Sequence, residues 1–294
     1  MLKRESLRTV YVEMVYSHDG PAATKESELR ELATGTAFYY HLDGANYLIT
    51  ARHNVTGRHW KTGEYMGEYP MAPSHLKLTA LAPPPTPAGW PFTPVPDDPT
   101  RSEIAMQITG SLIPLLYEDW SPSWLEHPTY GGRMDVVAIP LAPLPADEIF
   151  TAWNEPVDLE PSDMVDWPRL AAGVDVFIIG FPYRLTSGPF LPLWLRGTIA
   201  SEPYFGYRVD DENLPLMLID ARTRKGQSGS PVIRHIGQNQ FLMRRNGTPG
   251  LSILPQSDLV GVYSGRTSDE SDLGYVWLME EVEEICRRGA QGKA

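Results

Sequence analysis

The stretch "RTRKGQSGSPVI" (residues 222–233) sets Gly226, Ser228, Gly229 and Pro231 directly before a run of apolar β-formers. A turn into a strand needs one glycine, or two. It does not need a serine held between them. A serine hydroxyl is a weak nucleophile until a base takes its proton. Glycines on either side let the backbone bend so that successive N–H groups point into one small space beside it. The stretch therefore reads in two ways: a Gly/Ser-rich turn before a strand, or a nucleophile with preorganised donors for an oxyanion.

Outward from that turn the chain is a succession of short apolar runs separated by proline and glycine, 28 and 25 of them in 294 residues, which favours an all-β architecture. Residues 8–17 read as a strand, and 23–34 as a short helix or loop. Asp43-Gly44 between two β-forming runs predicts a tight hairpin. Strands are expected at 75–81, 103–110, 112–119 and 134–141, with a stiff proline-rich surface loop at 82–100. Residues 154–173 read as a connector. Further strands follow at 174–182, 193–202, 215–221, 230–235 and 258–265. At 277–288 the spacing of Leu278, Val282 and Ile285 predicts a terminal helix with arginines in its last turn. The pattern is two successive sets of about six strands followed by one helix.

Composition narrows the function. Twenty-five Lys and Arg stand against 37 Asp and Glu, a net charge of −12, and such a chain repels phosphate backbones, so nucleic-acid binding is not expected. One cysteine, Cys286, excludes an intramolecular disulfide and suits a reducing compartment. No signal peptide is visible and no run approaches the roughly 20 apolar residues of a membrane span, so a cytoplasmic location is expected. His53 and His59 lack metal-ligand spacing, Cys286 has no C-x-x-C partner, and no phosphate-binding glycine motif opens a helix. Neither a metal nor a cofactor is expected.

Two more stretches carry chemistry. In "NYLITARHNVTG" (46–57) a strand delivers His53 at its end, as a general base or as a surface or capping histidine. In "GGRMDVVAIPL" (131–141) Asp135 opens an apolar strand, and burying its carboxylate demands a partner: a histidine N–H, backbone N–H groups or Arg133. Taken together the order His53, Asp135, Ser228 is that of a chymotrypsin-type triad.

At these residues the sequence resembles the trypsin-like serine peptidases of chymotrypsin fold, most closely the disulfide-free bacterial HtrA type. "GTAFYY…YLITARHN" is similar to that family's Gly-Thr-x-Phe strand and Thr-Ala-x-His motif, "DVVAIPL" to its aspartate strand, and "GQSGSPV" to its nucleophile motif. The pattern spans 9–288, with specific motifs only at the three catalytic stretches. The resemblance implies an all-β fold of two six-stranded antiparallel β-barrels and a C-terminal α-helix. Residues 1–160 would form the barrel carrying His53 and Asp135, and 161–294 the barrel carrying Ser228. It implies peptide-bond hydrolysis through an acyl-enzyme, with Ser228 attacking, His53 moving the proton, Asp135 orienting the imidazole, and the N–H groups of Gly226 and Ser228 as oxyanion hole. By motif offset Arg222 lies near the base of the primary pocket, with Tyr263, Ser264 and Gly265 along one wall. An inward arginine would favour an acidic residue before the scissile bond.

The departures are specific. Ser230 replaces the motif's second glycine, which requires negative φ there. Gln227 cannot pair with a new N-terminus, so activation by N-terminal insertion is not expected. His53 and Asp135 are 82 residues apart, longer than usual. The excess, within 61–131, would restrict access, dock a partner or merely decorate the surface. No PDZ-like domain is expected after the terminal helix. Beside a serine endopeptidase acting on proteins or peptides stand two other readings: a binding or sensing protein with a blocked or misaligned cleft, and an effector peptidase gated by an activating protein partner.

Overall fold

The computed structural model describes residues 3–24, 27–67, 70–82, 92–95, 98–104, 107–142, 152–154, 167–188, 190–243, 248–252 and 255–293. After a short helix α1 (Arg4–Leu7), the first half contributes strands β1 (Thr9–Tyr16), β2 (Arg30–Leu42), β3 (Ala45–Thr50), β4 (His75–Ala82), β5 (Phe92–Val95), β6 (Asp98–Ile104), β7 (Gln107–Pro114), β8 (Leu125–Glu126) and β9 (Val137–Pro140). Helix α2 (Arg52–Thr56) follows β3. The second half contributes β10 (Asp175–Gly180), β11 (Leu193–Ile199), β12 (Tyr207–Val209), β13 (Glu212–Leu214), β14 (Leu216–Asp220), β15 (Ser230–Ile236), β16 (Phe241–Met243), β17 (Pro249–Leu251), β18 (Gln256–Arg266) and β19 (Leu273–Leu278), then helix α3 (Met279–Arg288) and β20 (Ala290–Gln291).

The second half closes as expected into a six-stranded barrel, β10-β11-β14-β19-β18-β15. The first half does not. Seven of its strands, joined by β20, form an eight-stranded antiparallel sheet in the order β20-β8-β9-β3-β2-β1-β4-β7, with no closing pair among the described residues. Short β8 and β20 extend the edge beside β9, so the ladder ends there among the described residues instead of returning to β7. Residues 290–291, expected with the second barrel, thus belong to the first sheet.

Strand faces explain the continuous apolar runs. On β2, Ala37 and Tyr39 enter the core of the first sheet, while Phe38, Tyr40 and Leu42 enter a core shared between the halves. On β14, Met217 and Ile219 fill the barrel, and Leu216 and Leu218 face the shared core. With both faces buried, a strand loses its polar alternation. The shared core, closed off by Met279, Val282, Ile285 and Cys286 of α3, locks barrel and sheet together.

The hairpin at 43–44 forms as read: Asp43 and Gly44 both have positive φ, 51° and 84°, with Leu42 paired to Ala45. Elsewhere tertiary pairing overrides local propensity. Residues 30–34, expected as helix or loop, are the first part of β2, held by pairing with β1. The strand expected at 112–119 stops at Pro114. In the proline-rich stretch, 92–95 and 98–104 form a two-stranded ribbon, and 83–91 lie outside the described residues. Of the expected connector, 155–166 lie outside the described residues and 167–173 carry no regular element. Trp277 and Leu278, expected in the terminal helix, end β19, where each pairs across to neighbouring strands. No described helix is long and apolar enough to cross a membrane.

A buried histidine, His75, and a half-buried one, His235, make stability depend on pH. His75 is 1% exposed, its Nδ1 is 2.9 Å from Ser74 Oγ, and burial lowers its pKa. In His235 burial, and then the Lys3 ammonium 3.0 Å from Nε2, act in the same direction. Folding favours the neutral imidazoles, so their contribution is complete above the ordinary histidine pKa and is lost as pH falls below it. The urea midpoint is expected to be level near pH 8 and to drop as pH falls below about 6.5. The drop should shrink in a His75→Gln, His235→Gln double variant; an equal drop there would contradict the assignment.

Candidate active site

Strand β3 ends at Thr50, and the extended conformation of Ala51 turns the chain into α2 and places His53 in its first turn. The helix stops at Gly57, φ 68°, whose N–H bonds the His53 carbonyl at 2.8 Å. Asp135 lies two residues before β9, the neighbour of β3, and is fully buried. Its Oδ2 lies 2.8 Å from His53 Nδ1, and its Oδ1 accepts the His53 backbone N–H at 3.0 Å. Of the three partners open to this carboxylate, it takes the imidazole and a backbone N–H, both of one residue. Arg133 instead pairs with Glu212. A carboxylate can only accept from neutral imidazole, so Nδ1 carries the proton and Nε2 is the basic nitrogen.

The glycine-rich turn needs its glycines at two positions. Gly226 (φ 95°) and Gly229 (φ 88°) are left-handed, and a Cβ on them would lie 2.4 Å from Phe181 O and 2.1 Å from Thr36 O. Ser230 is the first residue of β15; a side chain on neighbouring Gly180 would meet its Oγ at 2.2 Å, so Gly180 makes room for the serine. Within the turn, Gln227 N–H donates to Arg224 O and Gly229 N–H to Tyr263 O. Among the described residues, none accepts from the N–H groups of Gly226 or Ser228. The Ser228 hydroxyl donates to Ser264 O at 3.2 Å.

A buried polar network joins this turn to the histidine's helix. The Ser228 carbonyl accepts from Thr36 N–H at 2.9 Å and from Asn54 Nδ2 at 3.0 Å. Thr36 Oγ1 donates to Gly226 O at 2.7 Å, and Thr50 Oγ1 to Thr36 O at 2.8 Å. His53 and Asp135 are thus bonded directly, and Ser228 reaches them through Asn54, the residue after His53. The serine hydroxyl turns to Ser264. Thr36, Thr50 and Asn54 escape a reading of the sequence; their one signal is small polar side chains inside apolar runs.

The expected pocket residues differ in exposure. Arg222 is exposed. The Tyr263 ring is buried in the barrel core against Gly274, its hydroxyl 2.5 Å from Thr223 Oγ1, and burial pushes the phenol up to about 12. Ser264 is buried, its Oγ accepting from Trp277 Nε1 at 3.1 Å, and Gly265 is half-buried. Beside Ser228, then, the wall is backbone. Among the described residues no group of three or more His, Cys, Asp or Glu side chains is disposed to hold a metal. Cys286 is buried in α3, its thiol pushed up to about 12 by burial, so it is unreactive.

The fold and site define an antiparallel β protein in which a barrel and a sheet meet at a histidine–aspartate pair beside a glycine-framed serine. Among solved structures, the chain is similar to the Rv3671c protease of M. tuberculosis in its active form, at 15% identity and TM-score 0.44 over 99% of this chain and 85% of that one. The inactive form gives 15% and 0.39 over 96% and 87%. The serine endoprotease of Yersinia pestis gives 13% and 0.40 over 97% and 63%. No family model matches the chain, and no curated protein matches it.

Proposed function

We propose that the protein is a serine endopeptidase of chymotrypsin type using His53, Asp135 and Ser228. The observation that carries this reading is the two-point hold of buried Asp135 on His53, through Nδ1 at 2.8 Å and the backbone N–H at 3.0 Å. That hold fixes the tautomer and the plane of the ring. His53 Nε2 takes the Ser228 proton as Oγ bonds to the peptide carbonyl carbon. The oxyanion is met by the free N–H groups of Gly226 and Ser228. The same proton then passes to the leaving amine as the C–N bond breaks, and water, activated by His53, releases the acyl group. No cofactor enters this scheme. Arg222 is the proposed cation for an acidic side chain before the scissile bond, with the main chain of Tyr263, Ser264 and Gly265 along one wall of its pocket.

The 3.2 Å bond from Ser228 Oγ to Ser264 O favours a second form of the same reading, in which a substrate or an activating protein partner turns the hydroxyl toward His53.

Cleavage of an unbiased peptide library, read by mass spectrometry, tests this. Cleavage that vanishes in Ser228→Ala supports the peptidase, and acidic residues before the cut, lost in Arg222→Ala, support the pocket. A folded protein that cuts nothing, alone or with candidate partners, would leave a binding or sensing role.

A further inference from the structure

Asn54 is fully buried, one residue beyond the proposed base, and the mechanism above gives it no part. Its Nδ2 makes two hydrogen bonds, to Thr50 Oγ1 at 2.9 Å and to the Ser228 carbonyl at 3.0 Å. Neither partner can be met by an oxygen. A carbonyl only accepts, and Thr50 Oγ1 already donates its hydrogen to Thr36 O. Both contacts therefore demand N–H, which fixes the amide's orientation and leaves Oδ1 buried without a partner. An unpaired buried acceptor is unfavourable, and an aliphatic side chain would avoid it. Gly35 makes space for this amide, since a Cβ there would lie 2.6 Å from Asn54 Nδ2.

We infer that Asn54 is a positioning residue that clamps the Ser228 carbonyl to the helix of His53 and so sets the nucleophile's distance from its base. The inference rests on the peptidase reading. His53 is anchored on the sheet and Ser228 on a turn of the barrel, so their separation depends on how the two halves are joined at this point. The turn is gripped on either side of Gln227: Gly226 O by Thr36 Oγ1, and Ser228 O by Thr36 N–H and Asn54 Nδ2. Those carbonyls belong to the two residues whose N–H groups would meet the oxyanion. The Asn54 amide is the part of the grip that comes from the histidine's own helix.

The test uses the full chain and four readouts: the rate of labelling by a fluorophosphonate, kcat and KM on a peptide the wild type cleaves, melting, and hydrogen exchange over 226–230. Asn54→Asp replaces both donors with acceptors. Misplacement of this kind is expected to lower the labelling rate and kcat on the order of 10²-fold, while KM stays within about twofold. Asn54→Leu should fall in the same direction. Gly35→Ala pushes the amide aside without altering base or nucleophile; it should lower kcat alone and add little to Asn54→Leu. A folded Asn54→Asp or Asn54→Leu protein labelled within about threefold of wild type would overturn the inference, as would lower melting with kcat intact. If the folded wild type itself resists the probe, alone and with candidate partners, the peptidase reading falls. Hydrogen exchange then decides the clamp: faster exchange over 226–230 in the Asn54 variants supports it, and unchanged exchange overturns it.

Discussion

Replacing Ser228 with alanine is expected to lower peptide turnover on the order of 10⁶-fold, and replacing His53 with alanine by a similar factor. The three side chains act as one proton path, so losing either end removes the whole unit. The double variant should be no slower than either single one. The two single variants should part in stability. Ser228 is half-buried and among the described residues its hydroxyl bonds only the Ser264 carbonyl, so Ser228→Ala should melt with the wild type. His53→Ala strips the ring from Oδ2 of the fully buried Asp135, leaving among the described residues the backbone N–H on Oδ1. Leaving a buried carboxylate short of a hydrogen bond costs about 1–3 kcal/mol, so this variant should melt below wild type. Turnover by active-site titration, paired with melting curves, checks both halves. Purified Ser228→Ala that still cleaves at an undiminished rate would mean another nucleophile.

Asp135→Asn is expected to lower turnover by about 10⁴ with the fold intact. Asparagine is isosteric, and its Oδ1 can keep the His53 backbone N–H. Its Nδ2 then faces His53 Nδ1 across the present 2.8 Å. A donor there forces the imidazole proton onto Nε2, the nitrogen that must accept from Ser228. The variant thus separates tautomer control from packing. Unchanged melting with a large fall in kcat is the expected pattern, and nitrogen chemical shifts of the His53 ring should show the proton moved to Nε2. Turnover near wild type would remove Asp135 from the mechanism.

The legible part of the chain is local or repetitive. Asp43-Gly44 announces its hairpin because left-handed backbone at both positions favours those residue types. Barrel strands such as 216–220 announce themselves because both faces are buried and nothing polar interrupts them. His53, Asp135 and Ser228 stand out because each is a costly residue at the mouth of an apolar strand. Residues 30–34, polar and without period, are strand only because β1 lies beside them, and the terminal helix begins late because Trp277 and Leu278 are claimed by neighbours in the barrel.

The make-up of the first sheet was beyond the primary structure for the same reason: among the described residues its edge is completed by two residues from the far end of the chain, 290–291. So was the grip on Ser228. Asn54 adjoins His53 in sequence but works on a carbonyl 174 residues away. Residue types and their order carry information about what a segment prefers and which chemistry it could support. Register, sheet edges and hydrogen bonds between distant segments depend on where the packed cores bring the backbone, and that is a property of the whole chain at once.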